Sequence, residues 1–290
     1  MMLLLRWVAY WPLWLVQFAG ALLGWIVWAA SPTYRRRLAA NAARAGLTPA
    51  QRRAAVAHAG RMSAEVPWLW FRTPDRRLAP YLQWDNEALV EQAIAAGKGL
   101  LLLTPHLGAF EFAARGYAER YGHRQPVTVL YRPARQARIA QWQTYSRTAP
   151  GMQAAPANLS GVRQMLRALR KGETVGLLPD QVPPEGQGVW APFFGQSAYT
   201  MTLAARLVQQ TGCIPLLTWT ERLPHGRGFI NHYRPFQLPP PEAGEQACAA
   251  AVNEAMAWVI GQCPAQYLWG YNRFKQPRRA EPPAGGQSRA

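Results

Sequence analysis

Carboxylates are scarce in this chain. It has three aspartates (Asp75, Asp85 and Asp180) and twelve glutamates, 15 acids against 32 Lys+Arg. Acid–base chemistry has only these and five histidines to draw on: His58, His106, His123, His225 and His232. Three cysteines, Cys213, Cys248 and Cys263, exclude a disulfide framework and show no paired metal-ligand spacing. There is no Gly-x-Ser-x-Gly elbow and no His-Glu-x-x-His run, so neither a serine-nucleophile hydrolase nor a zinc site of that type is indicated. Lysine is nearly missing as well, with only Lys98, Lys171 and Lys275, so the net charge of +17 is carried by arginine. Arginine grips phosphate and carboxylate as a planar fork, which points to an anionic partner. Hydrophobic residues are 49% and charged residues 16%, which excludes general disorder. No base-reading motif appears and the arginines are scattered, which argues against nucleic acid.

What the chain does have is tryptophan, 13 in all, several of them near the N-terminus. Trp7 to Ala30 carries no charge, which is long enough to cross a hydrocarbon core. Its indoles gather towards both ends, where they suit the membrane interface. Arg35-Arg36-Arg37 follows at once, against a single Arg6 in front, so the downstream side is expected to be cytoplasmic. The expectation is a spanning or deeply inserted anchor over residues 1–30. A helix lying in the interface is the alternative, and a cleaved signal fits less well, because its apolar region would be too long.

Beyond the anchor the pattern is helical to about Arg72, with Thr48-Pro49-Ala50 as a helix start. The apolar stretch Ser63–Phe71 suits either core or a second membrane contact. Helices are then predicted over Asn86–Ala96, Phe110–Tyr121, Ala134–Arg147, Leu159–Arg170, Thr200–Thr211 and Glu245–Cys263. Strands are predicted over Gly99–Thr104, Val127–Tyr131, Thr174–Leu178, Ile214–Thr220 and Phe229–Tyr233, with a Pro/Gly loop at Val182–Gly188. This alternation reads as an α/β domain, a mixed, largely parallel sheet flanked by helices, over residues 31–275. Residues 276–290, rich in Pro, Gly, Arg and Ser, are expected to be a disordered tail.

The informative segment is Leu103-Thr104-Pro105-His106-Leu107-Gly108-Ala109-Phe110-Glu111. A histidine just past the carboxyl end of a buried strand stands where open α/β sheets bind ligands. Glu111 falls in the first turn of the next helix, and it meets His106 only if it turns back towards the loop. So paired, it would fix the imidazole tautomer and make an oriented general base. On spacing alone a structural histidine fits equally well.

The segment His106-Leu-Gly-Ala-Phe-Glu111 resembles the His-x4-Asp/Glu motif of the glycerolipid-type acyltransferase superfamily, and more closely the bacterial lipid A biosynthesis acyltransferases. The resemblance extends to Val129-Leu130-Tyr131-Arg132-Pro133, Leu177-Leu178-Pro179-Asp180-Gln181, Pro192-Phe193-Phe194-Gly195 and Tyr267-Leu268-Trp269-Gly270-Tyr271-Asn272-Arg273-Phe274-Lys275. It spans nearly the whole chain. It implies transfer of a fatty acyl group from acyl carrier protein to a hydroxyl of a lipid A precursor in the inner membrane, with the catalytic domain on the cytoplasmic side. It also implies His106 as base, Glu111 as its carboxylate, no metal and no resident cofactor. Another lipid acceptor, such as an aminolipid or a different glycolipid, is the alternative within this class. A basic membrane-binding protein without chemistry is the alternative outside it.

Other residues follow with less specificity. Tyr131 and Arg132 end a strand at the same edge, where Arg132 would hold a phosphate or stack on Tyr131 at the surface. Asp180 and Gln181 end another, with Asp180 as a second carboxylate on His106, a sugar ligand or a loop cap. Phe193, Phe194 and Gly195 would line an acyl tunnel or fill core, and Arg206 would meet phosphate. Arg273 and Lys275 would touch lipid headgroups or form a solvated basic end. Pro105 and Ala109-Phe110 stand where many family members have Asn and Asn-Trp, which bears on substrate identity rather than on reaction type.

Overall fold

A computed structural model describes residues 7–72, 77–131 and 150–277, and within them three long helices precede the sheet. They are α1 (Leu13–Ala30), α2 (Pro32–Arg44) and α3 (Pro49–Trp70). Both α2 and α3 start with proline in the first turn behind a hydroxyl cap, Ser31 and Thr48, the second as the sequence predicts. Thr48 and Gln51 form a reciprocal capping box, the Gln51 N–H donating to Thr48 Oγ1 at 3.2 Å and the Thr48 N–H to Gln51 Oε1 at 2.9 Å.

The α/β domain continues with β1 (Leu82–Asp85), α4 (Ala88–Ala96), β2 (Leu100–Leu103), α5 (Phe110–Tyr121), β3 (Val127–Tyr131), β4 (Met152–Pro156), α6 (Leu159–Arg170) and β5 (Thr174–Leu177). A hairpin, β6 (Gly188–Phe193) and β7 (Gln196–Met201), precedes α7 (Leu203–Thr211), β8 (Ile214–Arg222), β9 (Phe229–Pro235) and α8 (Gly244–Gln262). Seven strands form one sheet in the order β1-β9-β8-β2-β5-β3-β4. Only the β8–β9 pairing is antiparallel, so β1 and β9 run against the other five. The leucine run of β2 lies at its centre, where a strand covered on both faces needs no polar alternation. Leu101 and Leu103 enter the core shared with α2, α3, α6 and α8, whereas Leu100 and Leu102 enter the core under α4 and α5. Trp68 and Leu69 of the apolar stretch in α3 are buried, Trp68 stacking on Phe112 at 5.8 Å, so that part of it is core.

The structure corrects the reading after Gly188. Residues predicted as a helix from Thr200 begin instead as strand β7, and α7 starts only at Leu203. The turn between β6 and β7 has two central residues, Phe194 and Gly195, with φ of 46° and 73°. Two successive positive φ values make the tight hairpin turn whose twist matches that of its strands. The strands β1 and β4 were not foreseen, since each is only four or five residues long with mixed burial. The helix predicted over Ala134–Arg147 lies outside the described residues, as does the tail from residue 278 onward.

Helix α1 is apolar enough to cross a membrane by length and composition. It does not stand apart from the domain. Leu13, Val16, Gln17, Gly20 and Gly24 are its buried face, laid along α3. The two backbones touch: a Cβ on Gly60 would lie 2.0 Å from the Gly20 carbonyl oxygen and 2.5 Å from the Gly24 nitrogen. The opposite face, with Trp14, Phe18, Leu22, Trp25 and Ile26, is exposed. Gly60→Val should therefore prise α1 from α3, at an overpacking cost of about 1–3 kcal/mol. A lowered thermal midpoint and faster proteolysis within residues 7–30 are expected; an unchanged melt would show that the close approach is not needed.

Candidate active site

His106 and Asp180 are brought together by strand register. Parallel neighbours β2 and β5 pair Leu103 with Leu177, so both strands end level. His106 stands three residues beyond Leu103, and Asp180 three beyond Leu177. The Asp180 carboxylate takes His106 by two contacts. Its Oδ1 lies 2.7 Å from the ring Nδ1, and its Oδ2 accepts the His106 backbone N–H at 2.9 Å. This places the ring proton on Nδ1 and the lone pair on Nε2, which lies 3.1 Å from Gln181 Nε2. Asp180 is 2% exposed while the His106 side chain keeps 17%, so the base reaches solvent and its carboxylate does not. Burial works to raise the Asp180 pKa. The His106 ring, its backbone N–H and the nearby Arg273 cation more than offset this and hold the group below the ordinary carboxylate value. The Tyr267 hydroxyl, pushed well up by burial and by the Asp180 charge, stays protonated beside it.

The loop that carries His106 is fixed on every side. The Leu268 N–H donates to the His106 carbonyl at 3.1 Å, the Gly108 N–H to the Gln266 carbonyl at 3.0 Å, and the Ala109 N–H to the Thr220 carbonyl at 2.9 Å. Gly108 has φ of 60°, and a Cβ there would fall 1.9 Å from the Thr220 oxygen, so only glycine fits. Behind it Arg222, 3% exposed, donates from Nη2 to the Gly108 carbonyl at 3.0 Å. Its Nε and Nη2 also reach the two carboxylate oxygens of Glu65, itself 1% exposed. Gln17 of α1 donates to Glu65 as well. His58 lies against Arg222; burial, with the Arg222 and Arg61 cations beside it, lowers its pKa to about 3, so it is neutral here.

The remaining expected residues divide. Glu111 is in the first turn of α5, as predicted, and borders a small recess with Met62, Glu65 and Phe110. The carboxylate on His106 Nδ1 is nevertheless that of Asp180, because the level strand ends bring Asp180 to the ring. Phe110 packs edge-on against the imidazole at 4.9 Å. Tyr131 ends β3 next to β5, at the same edge, and Arg132 lies outside the described residues. Phe193 is buried core beneath the Arg273 guanidinium, and Gly195 is an exposed turn residue.

Arg206 departs from expectation, being engaged at the surface by Glu245 at 2.8 Å. Arg273 departs too. It is 2% exposed rather than solvated, and donates to the Tyr199 carbonyl and Thr200 Oγ1 at 2.7 Å each. Sequence reasoning missed Glu65, Arg222 and Gln266 altogether. The available signal was the single acid of α3 among its arginines, and an arginine at a strand end. Among the described residues, no group of three or more His, Cys, Asp or Glu is arranged to hold a metal ion.

The arrangement is a histidine–carboxylate pair with an accessible Nε2, able to take a proton from a hydroxyl. No nucleophilic serine or cysteine is needed to complete it. Comparison with known proteins adds an independent finding. A sequence model of the family described as bacterial lipid A biosynthesis acyltransferase matches residues 1–276. The chain is 28% identical over 217 residues to the lipid A biosynthesis lauroyltransferase of Escherichia coli (strain K12), covering 74% of this chain and 68% of the relative. It is 26% identical over 213 residues to the lipid A biosynthesis palmitoleoyltransferase of the same organism, covering 72% and 66%. A lipid A biosynthesis acyltransferase of Haemophilus influenzae is 26% identical over 182 residues, covering 62% and 55%.

Two stability measurements test the supports. Glu65→Gln leaves Arg222 buried with no compensating charge and should cost about 3–5 kcal/mol, read by denaturant unfolding. A loss under about 1 kcal/mol would mean that water or another group already neutralises Arg222. Asp180 has a depressed folded pKa, so its contribution is complete above the unfolded carboxylate value and fades as pH falls through the folded one. Asp180→Asn should remove that part of the acid-side destabilisation, and an unchanged acid limb would contradict it.

Proposed function

The chain belongs to the bacterial lipid A biosynthesis acyltransferase family, and from that premise we propose a mechanism in which His106, oriented by Asp180, is the general base of acyl transfer. The family makes the protein an acyltransferase of lipid A biosynthesis. The finer reading is that the donor is an acyl–acyl carrier protein thioester and the acceptor a hydroxyl of a lipid A precursor.

In this reading Nε2 of His106 removes the hydroxyl proton as the oxygen attacks the thioester carbonyl carbon. The C–S bond then breaks, and the imidazolium returns the proton to the departing thiolate, giving an ester and a free thiol. The proton balance closes on His106 alone, so no covalent acyl-enzyme, metal or resident cofactor is invoked. Gln181, against Nε2, marks where the acceptor hydroxyl docks. Glu111 is assigned to the substrate side, opposing the imidazolium charge or holding the acceptor, and Arg132 to a phosphate of donor or acceptor. The observation that carries the proposal is the double contact of a buried Asp180 with His106, which leaves Nε2 as the basic atom.

The setting is the cytoplasmic face of the inner membrane. The exposed aromatic face of α1 is taken to enter the lipid while its glycine face stays on α3. Since α3 carries Arg52, Arg53, Arg61 and Glu65 alongside, α1 is better placed in the interface than across the bilayer by itself.

A reconstituted assay with acyl–acyl carrier protein and a phosphorylated lipid A precursor tests the assignment. His106→Ala should lower kcat by roughly 10²–10⁴-fold, the usual weight of a general base. Asp180→Asn should lower it comparably and move the pH profile, because the ring loses its orienting charge. Glu111→Gln should also reduce turnover, moving the profile if Glu111 opposes the imidazolium charge and leaving it in place if Glu111 holds the acceptor. Retained transfer in His106→Ala would overturn the mechanism.

A further inference from the structure

A second concave site lies behind the catalytic loop. It is a cleft of about 590 Å³ between α1, α3 and the segment joining β8 to β9. Trp14 and Phe18 form its apolar wall, on the exposed face of α1. Arg61, His58, Arg222 and His225 supply the polar wall. The cleft is thus apolar where it meets the membrane-facing helix and cationic within.

Its charges are not balanced. The Glu65 carboxylate is occupied by Arg222 and Gln17. Glu221, also at the cleft, is engaged by His232 at 3.2 Å. Arg61 is half-buried, and its hydrogen-bond contact among the described residues is His58 Nε2, at 3.5 Å. No carboxylate of the described residues lies within ion-pair distance of it. His58 cannot supply a countercharge, being an uncharged ring. Burial and the Arg222 cation depress the Arg61 pKa although Glu65 opposes them, which is the mark of a cation short of an anionic neighbour.

We propose that this cleft binds the phosphate of an anionic phospholipid from the bilayer, with Arg61 as the phosphate ligand and Trp14 and Phe18 against the acyl chains. A guanidinium with unused donors suits a phosphate oxygen pair, and an indole beside it suits the glycerol and upper chain region. The back wall gives the site a consequence. Arg222, which lines the cleft, also donates to the Gly108 carbonyl in the His106 loop, so an occupied cleft braces the loop from behind. The site is separate from the one assigned to acyl transfer, and it rests only on the reading that α1 faces the membrane.

The test is direct binding to the full-length protein, followed by calorimetry or tryptophan fluorescence. Three probes are used below their micellar concentrations: dihexanoylphosphatidylglycerol, dihexanoylphosphatidylcholine and inorganic phosphate. The anionic lipid should bind more tightly than both others. Arg61→Gln should weaken it by about tenfold or more, the usual weight of one charged hydrogen bond, with Arg61→Lys intermediate. His106→Ala should leave the affinity unchanged, which separates this cleft from the catalytic one. Equal affinity for the zwitterionic lipid, equal affinity for phosphate alone, or full affinity in a folded Arg61→Gln protein would each overturn the proposal. Should Arg61→Gln melt early, Phe18→Ser carries the same test on the apolar wall. None of these readouts depends on acyl transfer, so the catalytic assignment stands or falls separately.

Discussion

A buried ion pair between Glu65 and Arg222 ties the first helices to the sheet and to the catalytic loop. Glu65 comes from α3 and Arg222 from the end of β8, residues far apart in the chain that meet with almost no exposure. Taking two charges out of water is costly, and their mutual attraction offsets the cost only when their other donors and acceptors are also met. Here they are: Gln17 donates to Glu65, the Gln266 side chain accepts from Arg222 Nη1 at 3.4 Å, and the Gly108 carbonyl accepts a further guanidinium N–H. The last of these contacts matters most. It makes the conformation of the His106 loop depend on a pair that contains no catalytic residue.

Onto that frame the sheet sets the chemistry. The β2–β5 register decides that His106 and Asp180 meet, and the segment after α8 locks both. Leu268 holds the His106 carbonyl, and the Tyr271 hydroxyl accepts the Val182 N–H just past Asp180. Asn41 of α2 then holds the carbonyls of Trp269 and Tyr271 at 2.8 Å. The run Tyr267–Lys275, seen in the sequence only as part of a family resemblance, acts as a strap behind the site. Arg273 within it lies under the hairpin and lends positive charge to Asp180, the reverse of the solvated end expected from its place near the C-terminus.

The glycines of α1 and α3 show how a membrane-like segment can also be part of the folded body. Small residues at Gly20, Gly24 and Gly60 let the backbones meet, so one face of α1 is interior and the other is apolar and outward. Hydropathy records the length of such a segment and not which of its faces is already covered. The cleft bounded by Trp14 and Arg61 arises at that same junction, from residues no local pattern would have grouped.

Much was legible in the residues themselves. The β2 leucines, the helices Phe110–Tyr121 and Leu159–Arg170, and the Thr48 cap follow from local periodicity and capping, which act over a few residues. The order of motifs carried the family. Short strands such as β1 and β4, and the hairpin at Phe194-Gly195, were not legible, because four to six residues of mixed burial carry no period. His106 as a base candidate came from the sequence. Its partner came only as one of three readings of Asp180, because spacing drew attention to Glu111, five residues away, whereas strand register delivers Asp180 from 74 residues away. The sequence by itself determined which residues were available for chemistry, and in so acid-poor a chain that was a short list. Only the tertiary structure decided which carboxylate meets the imidazole, since parallel pairing joins strand ends that the chain keeps far apart.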